Sequence, residues 1–201
     1  MAKTLEELIT RRFQDVTVTA DGEISTAEFL EAAEGVVGMF DLLDSAAFYP
    51  VKSDMTTNIG KVRTKALSAQ DPALYDTLQK IIRAEAQQGD RTATQGLLWL
   101  KRGLELTAMA LKRSLESPAE ELSESFTLAY NHTLKQFHGF IVKKMFSVAM
   151  MACPSRAVFF DKIGGNREGQ QEELLAWVNA LQSLLNNLNI FYAQGAYDKG
   201  L

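Results

Sequence analysis

Leu174-Leu-Ala-Trp-Val178-Asn-Ala-Leu181-Gln-Ser-Leu-Leu185-Asn-Asn-Leu188 places its large apolar side chains three and four residues apart. That interval returns each of them to one face of a helix with 3.6 residues per turn. No run of comparable length alternates with period two, as a half-buried strand would. The same interval recurs upstream, through Leu97, Leu98, Leu104 and Leu111, and again through Leu134, Phe137, Ile141, Met145 and Phe146. His138 shares a helical face with Leu134, Val142 and Met145. Working outward from these runs predicts an all-α protein of about seven or eight helices.

Helix punctuation supports this. Ser25 followed by Glu28 reads as a capping box opening a helix that runs to about Leu43. Asp71-Pro72 and Ser117-Pro118 each read as an N-cap followed by proline at the first helical position, with Glu120 completing a second capping box. Gly164-Gly165-Asn166 and Gly195 read as helix stops. The four prolines all sit at element starts or in loops, and no linker, repeat or low-complexity segment divides the 201 residues. One domain over residues 1–201 is expected, with 1–24 as an N-terminal extension.

Composition narrows the chemistry. A net charge of −4 gives no nucleic-acid footprint and no overall attraction to anionic surfaces. The single cysteine, Cys153, cannot form an intrachain disulfide, which fits a reducing compartment. Met1 to Phe13 interleaves charges with its apolar residues and lacks the apolar centre of a signal peptide. Met145 to Cys153 is too short to cross a bilayer, which takes roughly 20 residues. A cytoplasmic monomer is expected. Asp21-Gly22-Glu23-Ile24 with Glu28 imitates half of a calcium-binding loop, but Thr17 and Thr19 stand where its first carboxylates belong. There are two histidines, His132 and His138, and no zinc, di-iron, nucleotide or nucleophile motif. No metal, cofactor or catalytic residue is predicted.

Three stretches carry polar groups in suggestive places. In Lys52-Ser-Asp-Met-Thr-Thr-Asn-Ile-Gly-Lys61, residues Asp54, Asn58 and Lys61 share one helical face. A carboxylate, an amide and an ammonium in a row suit a neutral polyhydroxylated ligand, although the same spacing also occurs on plain solvated faces. In Thr94-Gln-Gly-Leu-Leu-Trp-Leu-Lys-Arg-Gly-Leu104, Trp99 either fills core or offers its ring to a sugar's C–H face, with Arg102 one turn along. His138, on its apolar stripe, either packs in the core or donates to an amide carbonyl.

Taken in order, four stretches together resemble the glycolipid transfer protein family, with the likeness running from about Ser25 to the C-terminus. They are Phe40-Asp-Leu-Leu-Asp-Ser-Ala-Ala-Phe48, Val51-Lys-Ser-Asp54 with Asn58 and Lys61, Gly96-Leu-Leu-Trp-Leu-Lys-Arg-Gly-Leu104, and Phe137-His-Gly-Phe140. The sequence is most similar to fungal members linked to vegetative incompatibility. The resemblance implies a two-layer helical sandwich and non-enzymatic transfer of glycosphingolipids. It implies a headgroup site at Asp54, Asn58, Lys61 and Trp99, bordered by Tyr197 and supported by Arg102. Asp54 and His138 would hold the ceramide N–H and C=O respectively. Phe40, Leu43, Phe48, Val51, Leu106, Leu134, Val142 and Phe146 would line the hydrocarbon tunnel. Phe140, Ile141, Lys143 and Lys144 would touch the membrane, with Phe140 where vertebrate members carry tryptophan. A sister branch takes ceramide-1-phosphate through extra cations that replace the asparagine and tryptophan. Retention of Asn58 and Trp99 implies the sugar-binding branch. A glycolipid sensor or protein-interaction module in fungal incompatibility, or a ceramide-1-phosphate carrier, is the alternative.

Overall fold

Helix α1 (Thr26–Leu42) begins directly after Ser25 and stops at Leu43, as the sequence indicates, but the expected capping box does not form. Glu28 instead turns away and accepts the backbone N–H of Thr17 at 2.6 Å, closing the turn before the helix. The structure, a computed structural model, describes residues 9–43, 45–163 and 169–201. Asp44 of the Phe40–Phe48 motif, the first part of the Met1–Phe13 stretch and the Gly164-Gly165-Asn166 stop lie outside the described residues.

After a single 3-10 turn at Ala46–Phe48, α2 (Tyr49–Leu67) opens with Pro50 in its first turn, where the missing N–H costs nothing. Asp71 caps a second 3-10 turn, Pro72–Leu74, by accepting from the N–H of Ala73. Helix α3 (Leu78–Gln88) is capped by Thr77 and closed by Gly89, whose φ of 71° lies in the left-handed region that favours glycine.

Helix α4 (Thr92–Glu116) follows at once and is the axis of the molecule. Its own N-cap, Arg91, contributes no side-chain hydrogen bond. The buried Glu85 of α3 does so instead, accepting from the N–H groups of Ala93 and Thr94 and from the Thr94 hydroxyl at 2.7–2.8 Å. A carboxylate at that position satisfies orphan N–H groups and complements the helix dipole.

Helices α5 (Leu122–His132), α6 (Phe140–Met151), α7 (Arg156–Lys162) and α8 (Gln170–Gly195) complete the chain. Helix α5 starts four residues later than Ser117-Pro118 suggests. Glu120 is held bidentately by Arg113, both contacts at 2.7 Å, so Glu121 takes over as N-cap and pairs with Glu124 in a capping box.

The eight α-helices pack as a two-layer sandwich, with no strand among the described residues and only two isolated β-bridges. Helix α4 runs along α2, α5 and α8, and α1 packs on α2. Helix α8 buries Leu174, Val178, Leu181, Leu185 and Leu188, the residues whose spacing defines it. Residues 9–24 join the same core: the ring of Phe13 lies 5.0 Å from Trp177 and 6.4 Å from Phe29. No helix among the described residues is long and apolar enough to cross a membrane.

Candidate functional site

The row on α2 forms as its spacing predicts. Asn58, only 2 % exposed, donates from Nδ2 to Asp54 Oδ2 at 3.1 Å. Lys61 Nζ donates to Asn58 Oδ1 at 3.4 Å. Asp54 keeps solvent access as a residue, yet protein closes around its carboxylate. That desolvation raises its carboxyl above the ordinary carboxylate value, against the opposing pulls of Asn58 and Lys61.

Gly96 brings α4 against this row. A Cβ at Gly96 would stand 3.1 Å from Lys61 Cβ and 3.3 Å from the Asn58 carbonyl, so the two helices approach closely enough that any larger residue must push a neighbour back by a few tenths of an ångström. One turn on, Trp99 lies half-buried beside α2's polar row. The Arg102 guanidinium packs behind it, 4.9 Å from the Trp99 ring and 3.6 Å from that of Phe137.

His138 reaches the same place by a route that its periodicity does not show. Leu134–Phe137 form a 3-10 turn, His138 itself is extended, and α6 begins only after Gly139. The interruption of the helix, not a continuous helical face, lets the His138 ring lie near-parallel to Trp99 at 6.0 Å. Its Nδ1 shares a hydrogen bond with the Tyr130 hydroxyl at 3.2 Å, and Phe146 stacks on Tyr130 at 4.7 Å. Burial, and secondarily the charges of Lys143 and Arg102, lower the pKa of His138 below its usual 6.5, so the ring is neutral at pH 7.

These groups surround a cavity of about 430 Å³. Asp54, Asn58, Lys61, Trp99 and His138 all line it. Val51, Leu106, Leu134, Val142 and Phe146 supply apolar wall. Phe40, Leu43 and Phe48 are buried in the core and give the cavity no wall, although Ala47 beside Phe48 does. Arg102 faces a different cleft, and Tyr197 stacks on Phe191 at 5.0 Å, away from the cavity walls. Phe140 and Ile141 stand 71 % and 74 % exposed on α6, with the Lys144 ammonium 4.5 Å from the Phe140 ring and Lys143 facing the groove between α5 and α6.

Gln95, Gly103, Met55 and Tyr130 serve this site without having been singled out in the sequence, and Met145, which the sequence marks only as part of an apolar stripe, lines the cavity too. Gln95 and Gly103 lie four residues either side of Trp99, a helical spacing that marks the same face. A glycine inside a long helix, at a cost of roughly 1 kcal/mol against alanine, was a readable sign of close packing. Tyr130 gave no such sign, because its partner His138 lies past the end of its helix. Burial pushes the Cys153 thiol up to about 11, which suits an unreactive packing role. Among the described residues no cluster of histidine, cysteine and carboxylates can hold a metal ion.

Fold and site define an all-helical two-layer sandwich with a mainly apolar cavity between its helices and a polar row at the cavity edge. The Glycolipid transfer protein (GLTP) family model matches residues 24–165, and the chain belongs to that family. It is 44 % identical over 190 residues to a glycolipid transfer protein of Aureobasidium melanogenum, covering 94 % of this chain and 93 % of the relative. The crystal structure of HET-C2, a fungal glycolipid transfer protein, superposes with a TM-score of 0.89 at 45 % identity, covering 94 % of this chain and 97 % of that one. The GLTP-fold of FAPP2, described as selecting simple glycosphingolipids, matches at 0.87 and 30 % identity over 97 % of each chain.

Proposed function

We propose that this protein binds a glycosphingolipid and carries it between membranes without altering it covalently. The observation that carries this reading is the convergence of Asp54, Asn58, Lys61, Trp99 and His138 around one cavity whose other walls are apolar. A sphingolipid tail of ~16 carbons costs on the order of 12 kcal/mol to expose to water, so a carrier must cover its tails. Asp54 accepts from sugar hydroxyls and the ceramide N–H, Asn58 donates and accepts, and Lys61 donates. Trp99 offers the ring face on which a sugar stacks. With the Tyr130 hydroxyl donating to Nδ1, neutral His138 carries its proton on Nε2 and donates to the ceramide carbonyl.

Within this reading Phe40, Leu43 and Phe48 form the tunnel's inner end, which opens as the alkyl chains enter. Arg102 acts from behind Trp99, and Tyr197 borders the outer headgroup. Phe140, Ile141, Lys143 and Lys144 make a transient contact with a membrane surface, apolar and basic together. The protein acts as a cytoplasmic monomer with no cofactor and no nucleic-acid partner, and one domain suffices. Lys61 is the one cation among the described residues edging the cavity, which favours a neutral sugar over the dianionic phosphate of ceramide-1-phosphate.

The test is a vesicle-to-vesicle transfer assay with glucosyl-, galactosyl- and lactosylceramide against ceramide-1-phosphate. Purified protein alone is expected to move the sugar-bearing lipids, and to leave them intact. Preference for ceramide-1-phosphate overturns the headgroup assignment. Dependence on an added protein partner overturns the carrier reading in favour of an interaction module, and breakdown of the lipid establishes an enzyme instead.

A further inference from the structure

On the far side of Trp99 from the polar row, α4, the end of α5 and α8 enclose a second cleft of about 560 Å³. At its wall the Arg102 side chain is anomalous. The residue is 7 % exposed, yet its guanidinium makes no hydrogen bond among the described residues. Its contacts are the faces of Trp99 and Phe137, which take up the flat faces of the cation and leave the N–H edges without acceptors. None of its nitrogens is sealed from solvent, so the five donors of the guanidinium are open to an acceptor that enters the cleft. Its neighbour Lys101, 5 % exposed, is different: its ammonium is already engaged by Glu105 and Asn189. Arg102 feels the carboxylates of Asp198 and Glu105 through space but hydrogen-bonds to neither, so it is the cation of this cleft whose donors remain open.

The remaining lining indicates the chemistry that fits. Gln136, Gln182 and Asn186 present carboxamides, each able to donate and accept toward adjacent hydroxyls. Asp198 also lines the cleft from the exposed C-terminal segment, and its carboxylate is not hydrogen-bonded to Arg102 or to any other described residue. We propose that this cleft is a second binding site, taking a hydroxyl-rich anion in which a phosphate or carboxylate group meets Arg102 and the hydroxyls meet the three carboxamides. Because the Arg102 guanidinium rests on the Trp99 ring, an occupant of the cleft fixes one face of the ring that borders the first cavity. The site needs no lipid in that cavity, so it stands or falls separately from the carrier reading.

Glucose 6-phosphate and glucose, titrated into lipid-free protein and followed by tryptophan emission, with Trp177→Phe assigning the change to Trp99, test it. Glucose 6-phosphate is expected to give a saturable change and glucose none. Vesicles of phosphatidylcholine with and without phosphatidylinositol, scored by co-sedimentation, separate a free ligand from a lipid headgroup as the source, and a response from either upholds the site. Three variants fix its location, each checked for folding by circular dichroism. Arg102→Gln removes the fork and weakens binding by about tenfold or more, the worth of a charge-assisted hydrogen bond. Asn186→Asp adds a carboxylate at an exposed rim position that a folded core does not need, and also weakens binding. Asp198→Asn removes the competing carboxylate and tightens it. Equal responses to glucose and its phosphate, no response from either the sugar phosphate or the vesicles, or affinities unmoved by both Asn186→Asp and Asp198→Asn overturn the proposal.

Discussion

Helices α6 and α8 are both rich in large apolar side chains, yet the fold uses them in opposite ways. Helix α8 buries eight residues, from Leu174 through Trp177 to Tyr192. Helix α6 buries only Ala149 and Met150, and leaves Phe140, Ile141, Met145, Val148 and Met151 more than 40 % exposed. The first is held by the core; the second shows water an apolar surface that the fold itself does not need. Apolar periodicity thus predicts that a helix forms, but not what its apolar face is for.

The largest effect should come from emptying the α8 side. Leu188→Ala is expected to lose about 2–5 kcal/mol of stability by denaturant unfolding, the usual range for a fully buried leucine. The same truncation at Ile141 on α6 should stay within about 0.5 kcal/mol. An equal loss at both positions would erase the contrast.

Next come the residues around the cavity that α6 helps to wall. Asp54→Val and Trp99→Ala should each lower vesicle-to-vesicle glycolipid transfer about 100-fold or more, with helical circular dichroism retained. This corresponds to roughly 3 kcal/mol, the scale of lost charge-assisted hydrogen bonds and aromatic packing. Gly96→Ala forces α4 away from Lys61 and should cost about 1–3 kcal/mol of stability, as overpacking does. Its transfer rate should fall as well, because the opening between Lys61 and Trp99 widens.

On the α6 surface, Phe140→Ser with Ile141→Ser should reduce vesicle adsorption by about tenfold while the thermal midpoint stays put, since exposed apolar area is worth roughly 25 cal/mol per Å² only once it is covered. The smallest effect concerns charge. Burial raises the Asp54 carboxyl, so its ionisation opposes folding at neutral pH. Asp54→Asn should therefore raise the melting temperature slightly while abolishing transfer. His138 works in the other sense: its folded-state pKa lies below 6.5, so its contribution is whole at neutral pH and is lost as pH falls below that value. A His138→Gln variant should flatten this acid limb of the stability profile.

Much of the fold was legible because α1 and α8 follow their apolar spacing closely. Local side-chain bonds were the harder part. Glu28 and Glu120 fit capping boxes by sequence, but each is claimed by a distant partner, Thr17 and Arg113 respectively. Asp54, Asn58 and Lys61 were readable as a row because one helix carries them all. Their meeting with Trp99 and His138 was readable only through family resemblance, since it depends on a helix crossing at Gly96 and an interruption of the helix at His138. Arg102 could be assigned to the neighbourhood of Trp99 from its spacing, but nothing in the sequence showed its donors to be unsatisfied.

The exposed face of α6 includes two methionines, Met145 and Met151, the latter 76 % exposed. Peroxide converts such thioethers to sulfoxides, replacing soft apolar groups with strong S=O dipoles while the buried methionines of the core are shielded. Oxidation would thus switch off the greasy face of α6 without unfolding the protein, and a methionine sulfoxide reductase would restore it.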